Sequence, residues 1–106
     1  MNAKTKKRLK AAGWVIGDAA EFLRLTPEEA ALVEMRLALS RTIRERRVAA
    51  GLTQATLAKQ LGSSQSRVAK LEAADGSVSL DLMIRALLSI GATRKDVARA
   101  FARRVA

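Results

Sequence analysis

Leu52-Thr-Gln-Ala-Thr-Leu-Ala-Lys-Gln-Leu-Gly-Ser-Ser-Gln-Ser-Arg-Val-Ala-Lys-Leu-Glu72 is the stretch whose reading decides the fold. Leu57, Ala58 and Leu61 recur at helical spacing, Gly62 interrupts, and Val68 and Leu71 recur at i, i+3, so the stretch reads as two short amphipathic helices broken once. Thr53 is placed to cap the first helix with its hydroxyl. Gly62 can end that helix in a left-handed conformation without a side-chain clash, and Ser64 is placed to cap the second. Two helices crossing steeply need a small residue where they come closest. Ala58 supplies it, with Val68 and Leu71 closing the corner from the other side.

With the inner faces so assigned, Gln65, Ser66, Arg67 and Lys70 fall on the outer face of the second helix, toward its N-terminal half. This is the outline of a helix-turn-helix, and amide, hydroxyl and cationic tips are groups that read base edges. Amphipathic helix pairs joined at a glycine also occur in domains that never meet DNA, and any solvated helix shows a polar outer face. Periodicity alone does not separate the two.

The run Gly51-Leu-Thr-Gln-Ala-Thr-Leu-Ala, taken with Leu61-Gly-Ser-Ser-Gln-Ser-Arg-Val-Ala-Lys-Leu-Glu72, resembles the helix-turn-helix family of the lambdoid phage repressors, Cro and the XRE regulators. The resemblance covers roughly Arg41 to Gly91 and leaves the first third of the chain outside it. It implies an all-α, repressor-like five-helix domain, here with an N-terminal helical extension, that binds double-stranded DNA. By position, Gln54 corresponds to the family's phosphate-binding glutamine at a helix start, where backbone amides and the positive helix end also favour an anion. Thr53, Ser64 and the amides around Ser77 and Ser79 would complete a phosphate clamp. Arg47 stands where the family's arginine pairs with the glutamate ending the recognition helix, here Glu72. Gln65 could make a two-pronged contact with adenine, Arg67 or Lys70 could donate to guanine N7 and O6, and Ser66 could serve base or phosphate. Which of Ser66, Arg67 and Lys70 reaches a base stays open. One helix reads only a few base pairs, so a homodimer on an inverted repeat is expected, its recognition helices ~34 Å apart.

Composition narrows the other classes. At 106 residues and 49% hydrophobic content the chain suits one domain with one core. Cysteine and histidine are both absent, which removes disulfides, the usual zinc ligands, the usual general base and the thiolate nucleophile. No enzyme activity, cofactor or metal is expected. The net charge of +10 fits a partner rich in phosphate, although an anionic membrane surface would also attract it. No apolar run approaches the ~20 residues that span a bilayer, and no apolar stretch follows the basic start as in a signal peptide, so a cytoplasmic protein is expected.

The charge is unevenly placed. Lys4, Lys6, Lys7, Arg8 and Lys10 make residues 1–12 a basic arm, either a solubilising tail or a wrap for duplex phosphates; residues 13–35 carry Asp18, Glu21, Glu28, Glu29 and Glu34 against Arg24 alone. That acidic block is expected to face away from DNA. The reach of the resemblance, with this charge pattern, implies an N-terminal extension, 1–36, and a DNA-binding domain, 37–106. Within the extension Trp14-Val-Ile16 is a short apolar run, and Asp18 can cap a short helix through Leu23. Thr26-Pro-Glu-Glu29 is the clearest helix start in the chain, with an N-cap, a proline at the first helical position and the glutamate of a capping box.

From that start Leu32, Met35, Leu39 and Ile43 recur on one face, predicting a long helix from Pro27 to about Ala50. Its first half needs an apolar partner, either residues 14–25 folding back or a second subunit. Ser79 is placed to cap a helix with Leu80, Met83, Ile84, Leu87 and Leu88 buried, ended by Gly91. Thr93 to Asp96 starts a last helix with a Val97, Phe101, Val105 stripe.

Two roles fit such a DNA-binding chain: a small repressor-like regulator, or the antitoxin of a type II toxin-antitoxin pair, whose members this chain resembles in size and whose basic toxin would suit the acidic block. A basic adaptor for RNA or membrane is the reading from another class, and it predicts affinity indifferent to DNA sequence.

Overall fold

The computed structural model describes residues 24–104, and these form five α-helices in the order α1 Pro27–Ala49, α2 Gln54–Leu61, α3 Gln65–Glu72, α4 Leu80–Ser89 and α5 Arg94–Ala102. The all-α, repressor-like architecture expected from the resemblance is the one observed. The expectations for the basic arm, Trp14-Val-Ile16, the Asp18 cap and Val105 lie outside the described residues.

α1 begins as the sequence dictates. Thr26 Oγ1 accepts the Glu29 amide at 3.2 Å and Glu29 Oε1 accepts the Thr26 amide at 2.9 Å, a closed capping box with Pro27 at the first turn. Such a cap stabilises a helix by ~1 kcal/mol. Glu28 and Glu29 at the start, and Arg46 and Arg47 at the end, complement the helix dipole. The helix runs unbroken through position 36, so the expected boundary between extension and domain falls inside one rod.

α1 lies against α3, α4 and α5, while α2 packs on α3 and α4. The core between them is built on Leu39, Ile43, Leu57, Val68, Leu71, Met83 and Leu87, all essentially without solvent contact. The buried face of α1 differs from the expected stripe. Leu39 and Ile43 are buried, but Leu32 and Met35 are only half-buried, and Val33, Ala38 and Ser40 take the inner positions. α1 touches three helices, so its buried surface is broader than a single row.

α4 shows a similar correction. Leu82, Met83, Ala86 and Leu87 are buried, Leu80 and Ile84 are half-buried, and Leu88 stands 46% exposed. In α5 the enclosed residue is Ala100, with Val97 and Phe101 packed beside it.

A second, smaller apolar cluster forms around the N-terminal half of α1. Val33 and Ala74 are buried in it, and Leu25, Leu32 and Leu37 pack alongside. Among the described residues, the partner this half required is therefore the loop after α3, joined by Leu25.

Candidate nucleic-acid interface

The corner between α2 and α3 is set by local chemistry. Gly62 adopts φ +63°, the Ser63 amide bonds back to the Ala58 carbonyl at 2.9 Å, and α2 stops there. Arg85 on α4 reaches the Leu61 carbonyl at 3.4 Å and helps satisfy that helix end. Ser64 Oγ accepts the Arg67 amide at 3.2 Å, which starts α3; Thr53 Oγ1 accepts the Thr56 amide at 3.0 Å, which starts α2. Ala58 is buried at the crossing.

α3 divides sharply into two faces. Val68 and Leu71 are fully buried, whereas Gln65, Ser66, Arg67 and Lys70 are exposed. Beside this outer face lies an open cleft of about 320 Å³ lined by Ser64, Ser66, Arg67, Lys70, Ser77 and Val78. A second cleft, of about 340 Å³, is lined by Arg44, Arg47, Gln54, Ala69, Glu72 and Ala73. α3 thus stands as a ridge between two grooves, each bearing cationic side chains.

The far end of α3 is clamped to α1. Arg47 Nε and Nη2 donate to the two carboxylate oxygens of Glu72, the latter at 3.0 Å, while Nη1 donates to the Leu52 carbonyl at 2.8 Å. The side chains are 13% and 5% exposed. The Glu72 hydrogen bond raises the Arg47 pKa above its ordinary value despite the opposing effect of burial. Gln54 Nε2 also donates to Glu72, at 3.3 Å, so the carboxylate gathers α1, the first turn of α2 and the last turn of α3 at one point.

The residues expected to hold phosphate are not all brought together. Ser64 and Ser77 share the first cleft and Gln54 lines the second, whereas Thr53 and Ser79 are exposed but line neither. Ser79 Oγ caps α4 by accepting the Leu82 amide at 3.1 Å. The Ser77 side chain bonds the Asp75 carboxylate, and its amide is likewise already donated to Asp75 Oδ1 at 2.8 Å, so the amide expected of it is not free for phosphate. Both bonds, the amide's foremost, hold the Asp75 carboxyl below the usual carboxylate range.

Sequence reasoning overlooked Arg44, which is exposed on α1 and lines the cleft with Gln54. Its place one turn before Arg47 was the available signal.

Residues 43–94 match a family model described as helix-turn-helix. The domain they build belongs to the XRE-type helix-turn-helix family, and the protein is a DNA-binding transcriptional regulator in the general sense of that family. The match begins inside α1 and ends at the first residue of α5, so the N-terminal half of α1 lies beyond it. No curated protein and no solved structure matches the chain. Among the described residues no helix is long and apolar enough to cross a membrane.

Proposed function

We propose that this protein is a sequence-specific repressor that binds an inverted repeat as a homodimer, each copy laying α3 in the major groove. The observation that carries the reading is the division of α3: Val68 and Leu71 are consumed by the core, and Ala69 apart, the residues it exposes, Gln65, Ser66, Arg67 and Lys70, carry donors and acceptors suited to base edges. In this pose Gln65 addresses adenine, Arg67 or Lys70 addresses guanine, and Ser66 meets base or backbone. Ser64, Ser77 and Gln54 meet phosphates from the two flanking clefts, with Thr53 and Ser79 at their outer margins. The Arg47–Glu72 pair fixes the angle at which the ridge enters the groove. Two copies related by a twofold axis would repress by occupying a promoter.

The antitoxin reading uses the same DNA-binding head and adds a basic protein partner for the acidic block. The described part of that block gives it little support. Glu29 is buried in the capping box and Glu34 lies 3.9 Å from Arg104, leaving Glu28 as the carboxylate in open solvent there.

Selection of bound sequences from random duplexes, at fixed salt and with stoichiometry measured alongside, tests the proposal. Enrichment of an inverted repeat bound by two copies supports it. Equal affinity for all duplexes would replace it with the basic adaptor. On the selected site Arg67→Ala is expected to relax base preference at one position, by ~1–3 kcal/mol, while Gln54→Ala weakens every sequence alike.

A further inference from the structure

Arg36 belongs to the part of α1 that precedes the family match, yet its side chain reaches the far side of the DNA-facing ridge. Its Nη1 donates to the Val78 carbonyl at 2.5 Å and lies 3.8 Å from the Met83 sulfur. Val78 is 3% exposed and is at the same time part of the cleft wall beside Arg67 and Lys70. One residue is thus gripped from behind by α1 and presented in front to the groove. The loop needs such a grip. Ala74 sits at φ +57°, a left-handed conformation that costs an alanine roughly 1 kcal/mol, and among the described residues the chain has no other non-glycine residue there. Its methyl is buried against Val33, one turn before Arg36. Burial draws the Arg36 guanidinium below its ordinary pKa, in keeping with a side chain withdrawn from solvent to serve a fixed partner.

We infer that the N-terminal half of α1 is a brace for the loop between α3 and α4, and that Arg36 is a positioning residue for DNA binding that never touches DNA. Val33 holds the strained start of the loop and Arg36 holds its end. Between them the Asp75–Ser77 turn is kept at the edge of the first cleft, which Ser77 lines together with Arg67 and Lys70. The consequence for DNA rests on the pose proposed above; the brace itself does not.

Arg36→Met, which keeps length and apolar contact with Met83 but removes the donor, separates the two. Without DNA, hydrogen exchange at the Ser77 and Val78 amides should quicken ~10-fold while the α3 amides keep their protection. With the selected duplex, affinity should fall about fivefold, the scale of one lost hydrogen bond, with the preferred sequence unchanged. Arg36→Lys, which retains a charged donor, should recover most of both losses. Should Arg36→Met not fold, Val33→Ala loosens the same loop by thinning its contact with Ala74 and should give the same exchange pattern. Loop exchange unchanged in the folded variants overturns the brace. Loosened loop amides with undiminished affinity overturn the positioning role. If the wild-type protein selects no duplex, the proposed function falls, and the exchange measurement still decides the brace.

Discussion

Two basic surfaces of this molecule carry opposite instructions. Where α1 meets α5, the cations are answered within the chain: Arg103 holds Glu45 through two bonds at 2.6 and 3.0 Å, Arg46 and Arg99 share Asp96 at 3.4 and 3.5 Å, and Arg104 approaches Glu34 at 3.9 Å. On the outer face of α3, Arg67 and Lys70 form no ion pair within 4 Å of any described carboxylate, and Lys70 has only a longer-range attraction to Asp75. A formal charge of +10 describes the whole chain. What attracts phosphate is positive potential that the protein has not itself neutralised, and α3 is where it stands beside donors suited to base edges.

The joint between the two surfaces should give the largest effect. Arg47→Ala leaves the Glu72 carboxylate buried without its main partner, a change expected to cost about 3 kcal/mol. Thermal unfolding should fall by roughly 10 °C or more, and DNA affinity should fall with it. An unchanged melting temperature would mean that α3 is not held from this side. Arg67→Ala combined with Lys70→Ala attacks the open surface alone. Duplex affinity should drop by roughly 2–4 kcal/mol, the slope of log affinity against log salt should shrink by about 2, and the melting temperature should hold.

Removing a cation from the answered surface should do far less. Arg103→Ala breaks a solvent-exposed pair, so its melting point is expected to move only slightly and its salt slope for duplex binding not at all. A salt slope reduced as much as in Arg67→Ala would erase the distinction between the two faces.

Acid gives the mildest test. Asp96 and Asp75 are held below the usual carboxylate range mainly by backbone hydrogen bonds, at Thr93 and Ser77, and Glu45 by its bond from Arg103. Carboxyls with depressed folded values stabilise the fold above their unfolded pKa of about 4 and lose that contribution as pH falls through the folded value. The melting temperature should therefore show no loss from these groups between pH 7 and about 5 and decline below pH 4. A decline already under way at pH 6 would point to other groups.

Helix starts were legible because their chemistry is local. Thr26-Pro-Glu-Glu29, Thr53, Ser64, Ser79 and the Thr93–Asp96 box each place donor and acceptor within three residues, and all five cap the helices they announce. The corner at Gly62 and the polar outer face of α3 follow from the same short-range pattern. The inward face of α4 was not legible, since Leu80, Leu82, Met83, Ile84, Leu87 and Leu88 surround most of the helix and only packing chooses among them. The face of α1 was misjudged because a helix touching three others buries small residues such as Ala38 and Ser40 along with large ones. Arg47 and Glu72 meet across a separation that only the family resemblance bridged. For Arg36 and Val78, or Arg103 and Glu45, no motif links the partners, and nothing in either neighbourhood announces the other.

Arg47 lies eleven positions beyond Arg36 on the unbroken rod of α1. That is close to three whole turns at ~3.6 residues each, so both guanidiniums leave the helix on one side and seize the chain at the end of the loop that follows α3 and at the last turn of α3. The two grips are in phase, and phase is fragile. One residue inserted between Arg36 and Leu39 would swing the upstream half by about 100° and release the loop, whereas an insertion of about one full turn would restore the angle but displace the upstream grip by ~5–6 Å along the axis. The rod works like a key cut at two depths: its teeth must keep their pitch for both wards to turn together.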